Sequence, residues 1–230
     1  MMAFRWLLVL VLIIMPGYCS ADLKTSIATI ETLLAQGKTV AILFIDMQTG
    51  FVKRFWAPEA YRVISAQAEL LDHFSGNKGV HFIDVNYVEE GETLSFLHQK
   101  LLRNSYYRLL VKSEDSAFDK RESLPVDNPG ATAQEINTSL KNYLHSIKAE
   151  DVVATGCFDG GCLMQTTEDA LEAGFNVLVD RSLNITTDLI DRDAPSESEQ
   201  RGIGIAWEEL KEKYPDTLKV LPSESPAPCN

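Results

Sequence analysis

Apolar residues recur along this chain with two different periods. Val40 to Ile45 form an unbroken apolar run that stops at Asp46. Such a run reads as a strand buried on both faces. Asp22 to Gln36 instead places Leu23, Ile27, Ile30, Leu33 and Leu34 at helical spacing, with Gly37 as a stop. The same contrast continues to the end. Strands are predicted at Val40–Ile45, Val80–Asn86, Arg108–Val111, Asp151–Thr155, Phe175–Val179 and Leu218–Leu221. Helices are predicted at Asp22–Gln36, Glu59–Phe74, Glu92–Leu102, Ala133–Ile147, Cys162 to Gly174, and Ser198–Tyr214. Strands that alternate with helices imply a central, mostly parallel sheet covered on both faces, a three-layer α/β/α domain.

Ligands in such folds bind beyond the carboxyl ends of the strands. Three chemically capable residues stand there: Asp46 after the first strand, Lys112 after the third and Cys162 after the fourth. Cys162 follows Asp159-Gly160-Gly161 and opens a segment of helical period. A glycine-rich strand-to-helix turn can hold a thiol at the positive end of a helix, ringed by backbone N–H groups. Each residue also has a plainer reading, as a strand meeting water or a small buried thiol.

The mature region shows no internal repeat, so one domain is expected over 22–221. The net charge is -12, which argues against nucleic acid or an anionic membrane as partner. Residues 1–21 differ in kind. Arg5 precedes an apolar run from Trp6 to Met15, then Pro16, Gly17 and small residues at Ser20 and Ala21. That pattern predicts a cleaved signal peptide and a periplasmic or secreted protein with no stable membrane span. Residues 222–230 read as a disordered tail. Cleavage leaves Cys157, Cys162 and Cys229, an odd count and no disulfide framework.

Three motifs now carry a resemblance. They are Phe44-Ile45-Asp46-Met47-Gln48 followed by Gly50-Phe51, the Lys-x-x-x-Ser-Ala-Phe stretch from Lys112 to Phe118, and the stretch from Gly156 through Cys162, Thr166, Asp169 and Ala170 to Gly174. Together they resemble the isochorismatase-like cysteine hydrolases, a Rossmann-like family that includes nicotinamidases, carbamoyl-amide hydrolases and ureido-acid hydrolases. The resemblance spans roughly Thr39 to Leu221. It implies a triad of Asp46 as general acid–base, Lys112 as activating cation and Cys162 as nucleophile. It also implies a cis Cys157–Phe158 peptide at an oxyanion turn, and a homo-oligomer.

Departures from the family narrow the reading. Nicotinamidases carry a metal site with Asp-x-His at the end of the second strand, whereas this chain has Asp84-Val85-Asn86. No metal and no cofactor are expected. A retained cysteine points to acyl chemistry on a small amide, carbamoyl or ureido substrate rather than to vinyl-ether hydrolysis. Phe51, Trp56, Asn86 and Tyr87 are the candidate pocket residues, with Phe55 and Phe158 beside them. Loops at Asp119–Gly130 and Asn184–Pro195 read as lids or plain surface, and Arg181 and Arg192 as carboxylate partners or solvated cations. The alternatives are an idle family member that serves as a binding protein, isochorismatase-type ether hydrolysis, and a Cys157–Cys162 redox pair.

Overall fold

The computed structural model describes residues 21–51, 54–118, 138–186 and 196–221. Residues 1–20 of the predicted signal peptide, the tail, the 119–130 loop and residues 187–195 of the second loop, with Arg192, lie outside them. The described chain runs α1 (Ala21–Ala35), β1 (Thr39–Ile45), α2 (Ala57–His73), β2 (Val80–Tyr87), α3 (Ser95–Leu101), β3 (Tyr107–Lys112), α4 (Leu140–Ser146), β4 (Ala149–Cys157), α5 (Cys162–Glu172), β5 (Asn176–Ile185), α6 (Glu197–Lys213) and β6 (Leu218–Leu221). All six strands join one parallel sheet in the order β3-β2-β1-β4-β5-β6.

Side-chain alternation along the strands divides the core into two layers. Val40, Ile42 and Phe44 of β1 face Leu23 and Ile30 of α1, Leu70 and Leu71 of α2, and Leu97 and Leu101 of α3. Ala41, Leu43 and Ile45 face the opposite layer, where Leu144 of α4, Leu163 and Leu171 of α5, and Trp207 and Leu210 of α6 pack. Burial on both faces is the reason β1 has no polar side until Asp46. Among the described residues no helix is long and apolar enough to cross a membrane.

Strand order reverses between β1 and β4, which opens a crevice at their carboxyl ends. The two strands touch there without side chains between them. Gly156 pairs with Ile45, and a Cβ on Gly156 would stand 2.1 Å from the Ile45 carbonyl oxygen. Its φ of 127° also belongs to glycine.

Three boundaries differ most from the periodicity. Helix α4 starts at Leu140, capped by the Ser139 side chain, rather than at Ala133, and residues 133–137 lie outside the described residues. Helix α3 starts at Ser95 rather than Glu92, because Thr93 bridges to Gln48 and its hydroxyl is bonded to Asp84. Strand β5 runs on to Ile185 after a register shift against β4 between Ala154 and Gly156. Asn184 and Ile185 are therefore strand residues, not part of a lid. The irregularity lies beside Arg181, whose guanidinium pairs with the Asp159 carboxylate.

Candidate active site

Asp46 follows directly on β1, in a left-handed conformation with φ of 56°, and is fully buried. Aspartate is among the few residues that tolerate such a turn. Lys112 ends β3, two strands away, and its side chain crosses over β2. Its Nζ passes 5.4 Å from the centre of the Tyr87 ring and stops 2.8 Å from Asp46 Oδ2. It also donates to the Asp115 carbonyl oxygen at 2.6 Å. Cys162 opens α5. Its thiol is within hydrogen-bonding reach of Asp46 and lies 3.9 Å from Asp115 Oδ1.

The structure thus brings Asp46, Lys112 and Cys162 together, but their electrostatics differ from the simple expectation. Burial first, and the Asp46 charge second, push the Cys162 thiol up to about 12; Lys112 opposes them without prevailing. A helix N-terminus contributes at most about 2 kcal/mol, roughly one and a half pKa units, too little to reverse that rise. Cys162 at rest is a thiol, not the thiolate that a cation and a helix dipole alone predict. Burial also raises Asp46 above the usual carboxylate range, against the pull of Lys112. The acid–base residue is therefore a better proton acceptor than an exposed aspartate.

The turn before Cys162 contains a cis Cys157–Phe158 peptide. Gly161 and Leu163 both donate their N–H groups to the Phe158 carbonyl, at 2.8 and 3.3 Å. The N–H groups of Phe158 and Cys162 make no backbone hydrogen bond within the turn. Cys157 is a free, buried thiol whose Sγ donates to the Asp46 carbonyl at 3.0 Å. It buttresses the strand end that carries Asp46.

A cavity of about 700 Å³ opens over Cys162, of a size that takes a small molecule. Phe51, Tyr87 and Phe158 give it aromatic walls, and Phe51 meets both other rings edge-on at 6.4 and 5.9 Å. Two expected pocket residues do not line it. Trp56 precedes α2 and is 36% exposed, held outside because the chain turns there into the helix. Asn86 Oδ1 instead lies 3.1 Å from the Thr93 hydroxyl oxygen. Phe55 packs behind Phe158 at 5.9 Å. Motif reading did not find Asp115, Arg54, Glu90 or the α6 residues Glu199 and Ile203. Asp115 lies inside the Lys112–Phe118 motif and was open to discovery; α6 carries no pattern that announces a pocket wall.

On the second strand, Asp84 is engaged by two hydroxyls. Asp84 Oδ2 accepts from Thr93 Oγ1 at 2.6 Å and from the Tyr107 hydroxyl at 3.2 Å. His98 sets its ring edge-on to Tyr107 rather than joining a donor set. Among the described residues no group of three His, Cys, Asp or Glu side chains is placed to hold a metal. Arg181 is partly buried and pairs through Nε with Asp159 Oδ2 at 2.8 Å.

Comparison with known proteins matches this fold. No curated sequence matches the chain significantly. Among solved structures, an isochorismatase-like hydrolase from Alkaliphilus metalliredigens is similar over 81% of this chain and 95% of its own, with 16% identity and a TM-score of 0.54. The nicotinamidase of Staphylococcus aureus is similar over 79% of this chain and 99% of its own, at 14% identity and a TM-score of 0.56. An octameric hydrolase of unknown specificity from Escherichia coli is similar over 80% of this chain and 74% of its own, at 14% identity and a TM-score of 0.55. The model of the isochorismatase domain matches residues 40–186, more than half of the chain and the span from β1 through the nucleophile turn to the end of β5. The protein therefore belongs to the isochorismatase family of hydrolases.

Proposed function

We propose that the protein is an exported hydrolase that cleaves an amide, carbamoyl or ureido C–N bond in a small molecule through an acyl-enzyme on Cys162. The observation that carries this reading is the convergence of one buried carboxylate and one buried cation on a thiol that lines a cavity. A thiol nucleophile suits acyl transfer, and the fold is shared with a nicotinamidase. The donor set around Asp84 argues against a metal that holds a pyridine ring.

The resting thiol dictates the order of events. Asp46, made basic by burial, takes the Cys162 proton as sulfur attacks the carbonyl carbon. Lys112 keeps Asp46 ionised until that moment. The oxygen that gains negative charge is received by the N–H groups of Phe158 and Cys162. Asp46 then returns the proton to the leaving nitrogen and the C–N bond breaks. Water, deprotonated by Asp46, attacks the thioester and releases the acid. A thiol pushed up to about 12 has little thiolate at neutral pH, which slows its oxidation and suits a free cysteine in an oxidising compartment. We include in the reading the export signal in residues 1–21 and assembly as a homo-oligomer.

The decisive experiment measures ammonia release from a panel of primary amides, carbamoyl and ureido compounds, with Cys162→Ala as the blank. Turnover that survives the substitution removes Cys162 as nucleophile. A wild-type protein inert on the whole panel favours the idle binding protein. Isolation of the protein from the culture medium or periplasm with residues 1–21 intact would remove the cleavage step.

A further inference from the structure

Asp159 takes no part in the chemistry above, yet its side chain is bonded to two other elements. It is 1% exposed. Its Oδ2 lies 2.8 Å from Arg181 Nε of β5, and its Oδ1 accepts from Asn184 Nδ2 of β5 at 3.3 Å and from Trp207 Nε1 of α6 at 3.0 Å. Its N–H donates to the Ile185 carbonyl at 2.8 Å. Burial raises its affinity for a proton, and Arg181 opposes that. A buried carboxylate costs several kcal/mol of lost hydration unless a cation and further donors offset it. Here a cation and two neutral donors are supplied from outside the turn.

The turn needs such an anchor. The next two residues, Gly160 and Gly161, have no side chain to pin them. Gly160 packs closely on α6: a Cβ there would stand 3.0 Å from Ile203 Cγ1. The residues that let the turn approach α6 also leave it loose, and the neighbouring Asp159 supplies the fixing contacts. Glu199, Gly202 and Ile203 of α6 line the same cavity as Phe158, Gly161 and Cys162. One carboxylate therefore ties the nucleophile turn to the cavity wall.

We infer that Asp159 is a positioning residue: through Arg181, Asn184 and Trp207 its carboxylate locks the Phe158–Cys162 turn against β5 and α6. The thiol, the turn N–H groups and the pocket wall then keep one geometry. The pair with Arg181 is close to neutral, so it adds little field against a developing oxyanion. This role rests on the thiol chemistry proposed above.

The test uses the full chain with Asp159→Asn, Trp207→Phe and the double variant. Folded fraction is read by circular dichroism and thermal melting. Steady-state kinetics use the best substrate of the panel, and iodoacetamide labelling of Cys162 is followed against pH. In Asp159→Asn, kcat per folded molecule is expected to fall roughly 10- to 100-fold, the scale of a small misplacement of reacting groups, with KM within about twofold. Trp207→Phe removes one donor and falls only a few-fold. The double variant is no worse than Asp159→Asn, because both act through one carboxylate. Unchanged kcat per folded molecule overturns the role and leaves Asp159 a fold-stabilising residue. If Asp159→Asn does not fold, Trp207→Phe decides by the same criterion. A wild type inert on every substrate defeats the proposed function alone, and labelling then decides. A turn released by Trp207→Phe labels faster, with its midpoint moved to lower pH; a profile identical to wild type overturns the inference.

Discussion

Asp46 and Asp84 stand on adjacent strands, both with no exposed surface, and their surroundings give them opposite fates. Asp46 has an ammonium at 2.8 Å and a thiol at hand, below an open cavity. Asp84 has only two neutral hydroxyls, from Thr93 and Tyr107. Burial raises both. Lys112 opposes the rise at Asp46, whereas the Asp46 charge adds to it at Asp84, which is pushed up to about 7. The pair teaches that burial alone makes a carboxyl that holds its proton. A cation of its own makes a carboxylate that can accept one.

The comparison breaks most visibly at Asp46. Asparagine keeps the shape and also tolerates the left-handed backbone at φ 56°, so Asp46→Asn is expected to fold. Loss of the proton acceptor should lower kcat/KM by roughly 10²- to 10⁴-fold. The acidic limb of the wild-type pH profile should lie above the ordinary carboxylate range, because burial raises Asp46, and should vanish in the variant. A variant that keeps the limb would assign it to another group. Lys112→Met comes next. It leaves Asp46 buried without its cation, a change that costs about 3–5 kcal/mol of stability. Asp46 then holds its proton to higher pH, so the limb moves upward and the rate at neutral pH falls roughly 10- to 100-fold. Melting curves and the pH profile of kcat/KM read the two effects separately.

Much of this was open to the sequence because strand ends are marked by sudden polarity. Asp46 and Lys112 each terminate an apolar run, and Cys162 follows two glycines. Those signals depend only on local pattern, and the six strands share them. What stayed hidden depends on distance in the fold. Trp56 and Asn86 looked like pocket residues by their nearness to motifs, but one faces solvent and the other lies against Thr93. The role of Arg181 is set by Asp159, 22 residues away. The direction of the Cys162 shift is the clearest case. Sequence names a cation and a helix end, both of which favour the thiolate; it does not report burial, and burial dominates.

Asp84 gives a stability test with a definite sign. Its folded pKa of about 7 exceeds the usual value, so the folded state holds a proton that the unfolded chain has lost. Stability should fall as pH rises from about 4 to about 7, then level off. Asp84→Asn removes its share of that slope, while buried Asp46, Glu59 and Asp159, also raised, supply the rest. At pH 8 the variant should be more stable than wild type by roughly 1–3 kcal/mol, the relief of a buried charge less the cost of an amide N–H without an ideal partner. Denaturant melts at pH 5 and pH 8 check this, and equal slopes in both proteins would show that Asp84 does not titrate there.

Tyr107→Phe is the subtlest change and the sharpest comparison. It removes one donor, at 3.2 Å, from Asp84 and nothing from Asp46. A hydrogen bond to the ionised form is worth more than one to the neutral acid. The loss should therefore be about 1 kcal/mol at pH 8 and smaller at pH 5, where Asp84 carries its proton. The fall of stability should extend to higher pH than in wild type, since the charged form has lost support. In an Asp84→Asn background the pH dependence of the tyrosine effect should disappear. Throughout, kcat/KM and its acidic limb should stay within about twofold of wild type, because Tyr107 does not touch the Asp46–Lys112 pair. An acidic limb that moved with Tyr107 would mean that the two aspartates titrate as one coupled unit, and the separation between a working carboxylate and a sealed one would then be lost.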